Sequence, residues 1–403
     1  MARVASRVRV VGPLGRYRAG FEEALAAAGY TPLSAANQMR VMAHLSRWLE
    51  TNGVPPAAIA PDVVRAFLDA RREAGYTRWL SPRGLVPLLG HLRRLGAVPA
   101  PIVERASGPL DEVVERYRAY LVSERGLVPR SVRYYLLEAR PFLAGWVGED
   151  GSRLDRLGAA EISGYVLGEC ARRSVGAAKI LVTVLRSLLR FLFLEGLTGR
   201  ELWTAVPAVA GWRGGHLPKG IGAAQVSALL SSCDRRGATG RRDRAILLLA
   251  VRLGLRAVEV ARLGLADIDW RRGEITVRGK GRRDERLPLP VDVGEAIAGY
   301  LRQGRPRSAE RAVFLGAQAP FAPLTTHGVS RVVQRAASRA GLGTLGAHRL
   351  RHTAATEMLR AQTPLLEVGQ VLRHRSVGTT AIYAKVDRVA LRELAMPWPG
   401  VRT

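Results

Sequence analysis

The chain has 403 residues, more than one ordinary domain holds, and 47% of them are hydrophobic, enough for two or three cores. A formal net charge of +28 far exceeds what solubility requires and implies a polyanionic partner, nucleic acid before an acidic membrane surface. No uninterrupted apolar run reaches about 18 residues, and no signal-peptide core follows the basic N-terminus, so a soluble cytoplasmic protein is expected. Cys170 and Cys233 have neither disulfide-framework nor zinc-ligand spacing and read as small core residues.

The stretches 97–109 and 208–220 carry Pro99, Pro101, Pro109, Gly211, Gly214, Gly215 and Pro218, the composition of linkers. They predict three pieces: 1–105, 110–207 and 215–403. More than half of the excess positive charge lies in the last of them. The first two resemble each other at an offset of 98 to 100 residues: Trp48 matches Trp146, Phe67 matches Tyr165, and Leu88–Gly96 matches Leu188–Gly196. Both read as all-helical bundles, the first a possible duplicate of the second. The last helix of the second, 179–196, sets Lys179, Thr183, Arg186, Ser187 and Arg190 on a polar face against Leu, Val and Phe. Lys179, Arg186 and Arg190 are candidates for DNA phosphates; the plainer reading is a solvated face.

From Ala223 onward the pattern is mixed. Helical periodicity covers 225–230, 244–253, 291–301, 329–340, 347–360, 365–373 and 379–384. A hairpin is predicted with strands 274–278 and 286–290 about a turn at Gly279, Lys280 and Gly281. The fold class is therefore mainly α with a small antiparallel β-sheet in the C-terminal domain, preceded by two all-α bundles. Asp267 and Asp269 come nearest to a metal-binding pair and read better as a turn entering the hairpin. No P-loop, HExxH or GxSxG occurs, and neither a metal nor another cofactor is expected.

The chemistry available is cationic. His348 and Arg351, at i and i+3, project from one side of a helix while Leu350 faces the core, so the two can grip one phosphate. Arg349 and His352 are expected to point elsewhere, in packing or hydrogen-bonding roles. Arg256 opens a new helical run after Gly254, and its plainer reading is a local pair with Glu259. Only Lys179, Lys219, Lys280 and Lys385 are lysine, against 58 arginines, which singles out Lys280 in its turn as a lysine that arginine does not replace. His374 precedes Tyr383 by nine residues. A tyrosine hydroxyl attacking a phosphodiester needs cations on the non-bridging oxygens and an acid for the departing oxygen. These side chains can supply both.

Gly254-Leu-Arg256, Lys280 in a hairpin turn, His348-Arg-Leu-Arg351 and the His374-to-Tyr383 spacing resemble, in order, the signature of the tyrosine recombinase (phage integrase) family, over about 215 to 390. The segment 110–207 is similar to that family's core-binding domain. The resemblance implies a site-specific recombinase in which Tyr383 forms a 3′-phosphotyrosine and releases a 5′-hydroxyl, without metal or ATP. It implies that Arg256 and Arg351 bind the scissile phosphate, Lys280 protonates the 5′ oxygen, His348 assists proton transfer and His374 bonds a non-bridging oxygen. Arg373 stands where many relatives have glycine. The expected partner is double-stranded DNA with inverted-repeat core sites at the bacterial nucleoid, met as a monomer in solution and a homotetramer on synapsed DNA. The tail 387–395 is expected to form about two helical turns; the plainer reading folds them back on their own catalytic domain, and the resemblance suggests instead that they dock on a neighbouring protomer. Two alternatives stay open: a type IB topoisomerase, and a non-catalytic DNA-binding regulator on the same fold.

Overall fold

The computed structural model describes residues 7–100, 108–148, 152–210, 220–279, 284–373, 380 and 383. Contacts divide the chain into two compact units, Met1–Pro101 with Gly214–Thr403, and Ile102–Arg213.

The first bundle holds α1 (Arg18–Ala27), α2 (Pro32–Thr51), α3 (Pro61–Glu73) and α4 (Val86–Arg94). Thr31 starts α2 by accepting a hydrogen bond from the Ser34 amide at 3.3 Å, with Pro32 preset for the first turn. Phe21, Met42, Leu45, Phe67, Leu88 and Leu92 fill its core.

The second unit repeats the order with α5 (Pro109–Ser123), α6 (Pro129–Trp146), α7 (Ala159–Arg172) and α8 (Val175–Leu194). Its core is built on Tyr117, Phe142, Ile162, Leu185, Leu188 and Phe191. An edge-on aromatic pair joins the second and third helices of each bundle. It is Trp48 with Phe67 in one, and Phe142 with Tyr165 in the other, so the partner has moved one turn from the matched Trp146. Ser187, expected on the polar face of α8, is 6% exposed and lies inside the bundle, because its position falls among Val184, Leu185 and Leu188 on the core stripe.

The C-terminal part has α9 (Ala223–Ser231), α10 (Ala238–Arg252), α11 (Ala257–Arg262), β1 (Ile268–Asp269), β2 (Glu274–Arg278), β3 (Asp284–Pro288), α12 (Val291–Gln303), α13 (Thr326–Arg339), α14 (Ala347–Arg360) and α15 (Leu365–Val371). The mainly helical architecture with one small antiparallel sheet, ordered β1-β2-β3, is as the sequence implies. The second strand begins two residues earlier than expected. Ile275 opposite Leu287 puts both side chains on the buried face and fixes the register. Pro288 ends the strand, and the Leu289 amide turns back to the Gly273 carbonyl at 2.7 Å.

Helix α10 is the axis of this part, buried from Ala245 to Val251. Asp267 accepts from the Gly264 amide and from Arg278, while Asp269 accepts from the amides of Arg271 and Arg272. Both carboxylates serve the turn before the hairpin, as expected. Among the described residues no helix is long and apolar enough to cross a membrane.

Candidate active site

Gly254 ends α10 at φ +59, a conformation that side chains with a Cβ disfavour. A Cβ there would also lie 2.5 Å from Leu372. The turn sends Leu255 into the core and leaves Arg256 as the N-cap of α11. Glu259, in the first turn of α11, accepts from the Arg256 amide at 2.8 Å and from its guanidinium at 2.6 Å. The local pair expected for Arg256 therefore exists, but its carboxylate is 3% exposed while the arginine side chain is 39% exposed. Arg256 also donates to the Arg373 carbonyl at 3.2 Å. Its guanidinium is braced from within and still reachable from outside.

Arg351 is 1% exposed on α14 and donates to the carbonyls of Gly254, at 2.6 Å, and Leu372. It thus ties α14 to the turn that presents Arg256 and to the end of α15. Burial, then the neighbouring charges of Arg256 and Arg373, lower its pKa to about 10, and Glu259 works against them. Arg373 follows α15 at φ +55 and is buried. One of its guanidinium nitrogens lies 2.7 Å from Glu259, the other 2.8 Å from the Val371 carbonyl. Two guanidiniums, those of Arg256 and Arg373, thus share one carboxylate while that of Arg351 is held by backbone carbonyls nearby, and the surplus positive charge favours an anion.

Helix α14 brings His348, Arg351 and His352 to one side, at i, i+3 and i+4. The two imidazoles meet edge-on with centroids 4.4 Å apart. His352 Nδ1 lies 2.7 Å from the Tyr383 hydroxyl, a contact that corrects the expectation that His352 points elsewhere. The signal was in the sequence, since a residue four after His348 shares its face.

Tyr383 is 1% exposed, with Ala355, Leu359, Val368 and Leu372 around it. Burial raises its pKa, and the charges of Arg351 and Arg256 act in the opposite sense. Burial lowers the His352 pKa to about 4, helped by His348 and Arg351, so the ring is neutral at pH 7. The His348 pKa is lowered by burial, then by Arg351 and Arg256.

The charges of Arg256 and Arg351 thus act on both His348 and Tyr383, which brings these four sequence-predicted residues to one place. Lys280, His374 and the tail 387–395 lie outside the described residues. On the second unit, Lys179 is half-buried while Arg186 and Arg190 are exposed, and Arg186 donates to the Val206 carbonyl at 2.8 Å.

Residues 220–389 match the model of the phage integrase family. A putative integrase/recombinase of Sinorhizobium fredii is 41% identical over 393 residues, covering 96% of this chain and 95% of its own length. The chain belongs to the phage integrase family. Tyrosine recombinase XerD of Mycobacterium tuberculosis is 31% identical over 306 residues, 71% of this chain and 96% of its own. Among solved structures, XerH recombinase bound to a palindromic difH substrate has a TM-score of 0.58 at 19% identity, over 82% of this chain and 93% of its own. A lambda integrase dimer on a COC′ core site has a TM-score of 0.55 at 18% identity, over 72% and 98%. These neighbours share the fold of the tyrosine recombinases, site-specific DNA recombination being the work of the family.

Proposed function

We propose that this recombinase cuts and rejoins DNA through Tyr383, which attacks a scissile phosphodiester to give a 3′-phosphotyrosine and a free 5′-hydroxyl. Supporting this reading, the Tyr383 hydroxyl is hydrogen-bonded to a helix that also carries Arg351, and the Arg256 guanidinium is braced by the carboxylate that also binds Arg373. Arg256 and Arg351 hold the non-bridging oxygens, Lys280 protonates the 5′ oxygen, His348 assists proton transfer and His374 bonds the phosphate. The phosphotyrosine keeps the energy of the broken bond, so no ATP enters the scheme, and the arginines, histidines and Lys280 supply the positive charge and the acid without a metal ion.

The partner is double-stranded DNA with inverted-repeat core sites. Lys179, Arg186 and Arg190 meet its backbone from the 110–207 bundle, and 1–105 adds a second helical clamp to the catalytic part 215–403. The recombinase is a monomer in solution and a homotetramer on synapsed DNA at the bacterial nucleoid; a lambda integrase tetramer on a Holliday junction shares the fold.

A supercoiled plasmid with two copies of an inverted-repeat site that the purified chain selects from random duplexes tests this. With the purified chain, chelator and no ATP, recombinant circles should form only when both copies are present. Relaxation independent of the repeats would instead mark a topoisomerase. Binding without strand breakage would mark a regulator.

A further inference from the structure

His348 assists proton transfer in the proposed scheme, yet the imidazole bonded to the nucleophile's hydroxyl belongs to His352. We propose that His352 is itself a catalytic residue, whose Nδ1 accepts the Tyr383 proton when a phosphate occupies the cluster of Arg256 and Arg351. The proposal rests on Tyr383 being the nucleophile.

The geometry is that of a base waiting on its acid. The distance from Nδ1 to the phenolic oxygen is 2.7 Å, within direct transfer range. The His352 ring is held on one side by the edge-on contact with His348, and its backbone carbonyl accepts from the Thr356 hydroxyl at 2.9 Å, one turn on. The tyrosine oxygen bonds to phosphorus as the bond from phosphorus to the 5′ oxygen breaks. The phenolic proton passes to His352 Nδ1, and the 5′ oxygen takes a proton from Lys280. Rejoining returns both protons.

The charges around the ring explain why a phosphate is needed. His348 and Arg351 from its own helix face His352, and both charges disfavour a proton on it, while burial disfavours one more strongly. The charges of Arg351 and Arg256 also act on Tyr383, in the sense that favours its ionised form. Without DNA, His352 is therefore too weak a base to ionise a buried tyrosine. A phosphate between the two arginines cancels the repulsion that suppresses the imidazole and raises its basicity. The nucleophile becomes reactive only when there is a phosphate to attack.

The test uses the full-length chain. Nitrogen-15 NMR of the histidine-labelled protein without DNA should show His352 Nδ1 as an unprotonated acceptor at neutral pH, shifting in Tyr383→Phe. Nδ1 carrying the proton would overturn the proposal. The His352 titration should move to higher pH when Tyr383→Phe binds a duplex with the selected inverted repeat; an unchanged titration would overturn the gating by phosphate. His352→Asn keeps an acceptor near the Nδ1 position but cannot take a proton. On a duplex nicked beside the scissile phosphate it should bind normally, cleave roughly 10²-fold more slowly and lose the fall of the rate in acid. Cleavage within about threefold of wild type would reduce His352 to a positioning residue and overturn the claim. A covalent adduct persisting in Tyr383→Phe would mark failure of the nucleophile assignment rather than of His352 alone.

Discussion

Glu259 and Arg373, 114 residues apart in sequence, form an ion pair at 2.7 Å in which each side chain is 3% exposed. Arg373 reaches this carboxylate from a left-handed backbone conformation where glycine would be easier. The same carboxylate braces Arg256, so one buried acid positions two cations of the site.

Replacing Glu259 by Gln should therefore damage both stability and catalysis. It leaves Arg373 and Arg351 buried among cations, and breaking such a pair costs about 3–5 kcal/mol. Urea denaturation measures the loss. Arg373→Gly should also destabilise, because relief of about 1–2 kcal/mol of backbone strain is smaller than the lost pair. A double-mutant cycle between the two should show strong coupling; additive losses would contradict the pairing.

Arg256→Ala should separate function from folding. Its side chain is partly exposed, so the fold should persist with a loss of about 1 kcal/mol or less. Strand cleavage should fall by roughly 10²-fold or more, since the phosphate loses a charge-assisted donor in the transition state. Thermal melting and single-turnover cleavage on the same preparation separate the two effects.

Acid should destabilise the DNA-free chain. His44, His91, His348 and His352 all have pKa values below the ordinary 6.5, with burial the foremost cause in each. Below 6.5 the unfolded chain takes up protons that the folded chain resists. Stability is therefore intact above that pH and drains away as pH falls, for His352 down to about 4. Glu259 acts in the same direction lower down: burial would raise its pKa, but Arg373 and Arg256 hold it below the carboxylate range. Its contribution is present above the unfolded value and lost as pH falls through the depressed one. The melting temperature should drop steadily between pH 6.5 and 4, and His352→Asn should flatten part of that drop.

Salt dependence should report the helical bundles. Lys179→Ala and Arg190→Ala should each reduce the log–log salt slope of DNA binding by about 0.9 if each neutralises one phosphate. At the 100-residue offset the matched positions of the first bundle are Trp79, Arg83, Val86 and Gly90, the first two preceding α4, so a single cation remains there. Arg83→Ala should lower the slope by a similar amount where these positions touch DNA, and leave it unchanged where the first bundle binds otherwise.

The helices around α10 and α14 were legible because their apolar periodicity is strong, and the Gly254-Leu-Arg256 turn because glycine marks the break. The beginning of β3 was not, since Leu287 and Leu289 alternate equally well on either side of Pro288 and pairing with Ile275 decides the register. Glu259 was visible only as a local partner of Arg256. Its second partner lies across the fold, and no spacing rule reaches that far. His352 was misplaced because Arg351 had already accounted for its side of the helix, although i and i+4 from His348 share that face. The burial of Ser187 shows the converse, a polar residue drawn inside by its neighbours on the core stripe.

The central claim is that one hydroxyl carries the covalent chemistry, and Tyr383→Phe tests it most directly. Phenylalanine keeps the ring buried against Leu359, Val368 and Leu372 and removes only the oxygen bonded to His352. On a nicked duplex with the selected inverted repeat, wild type should yield a protein-linked strand that survives a denaturing gel. Tyr383→Phe should bind the same duplex with unchanged affinity and yield none. A protein-linked strand formed by Tyr383→Phe would contradict the account.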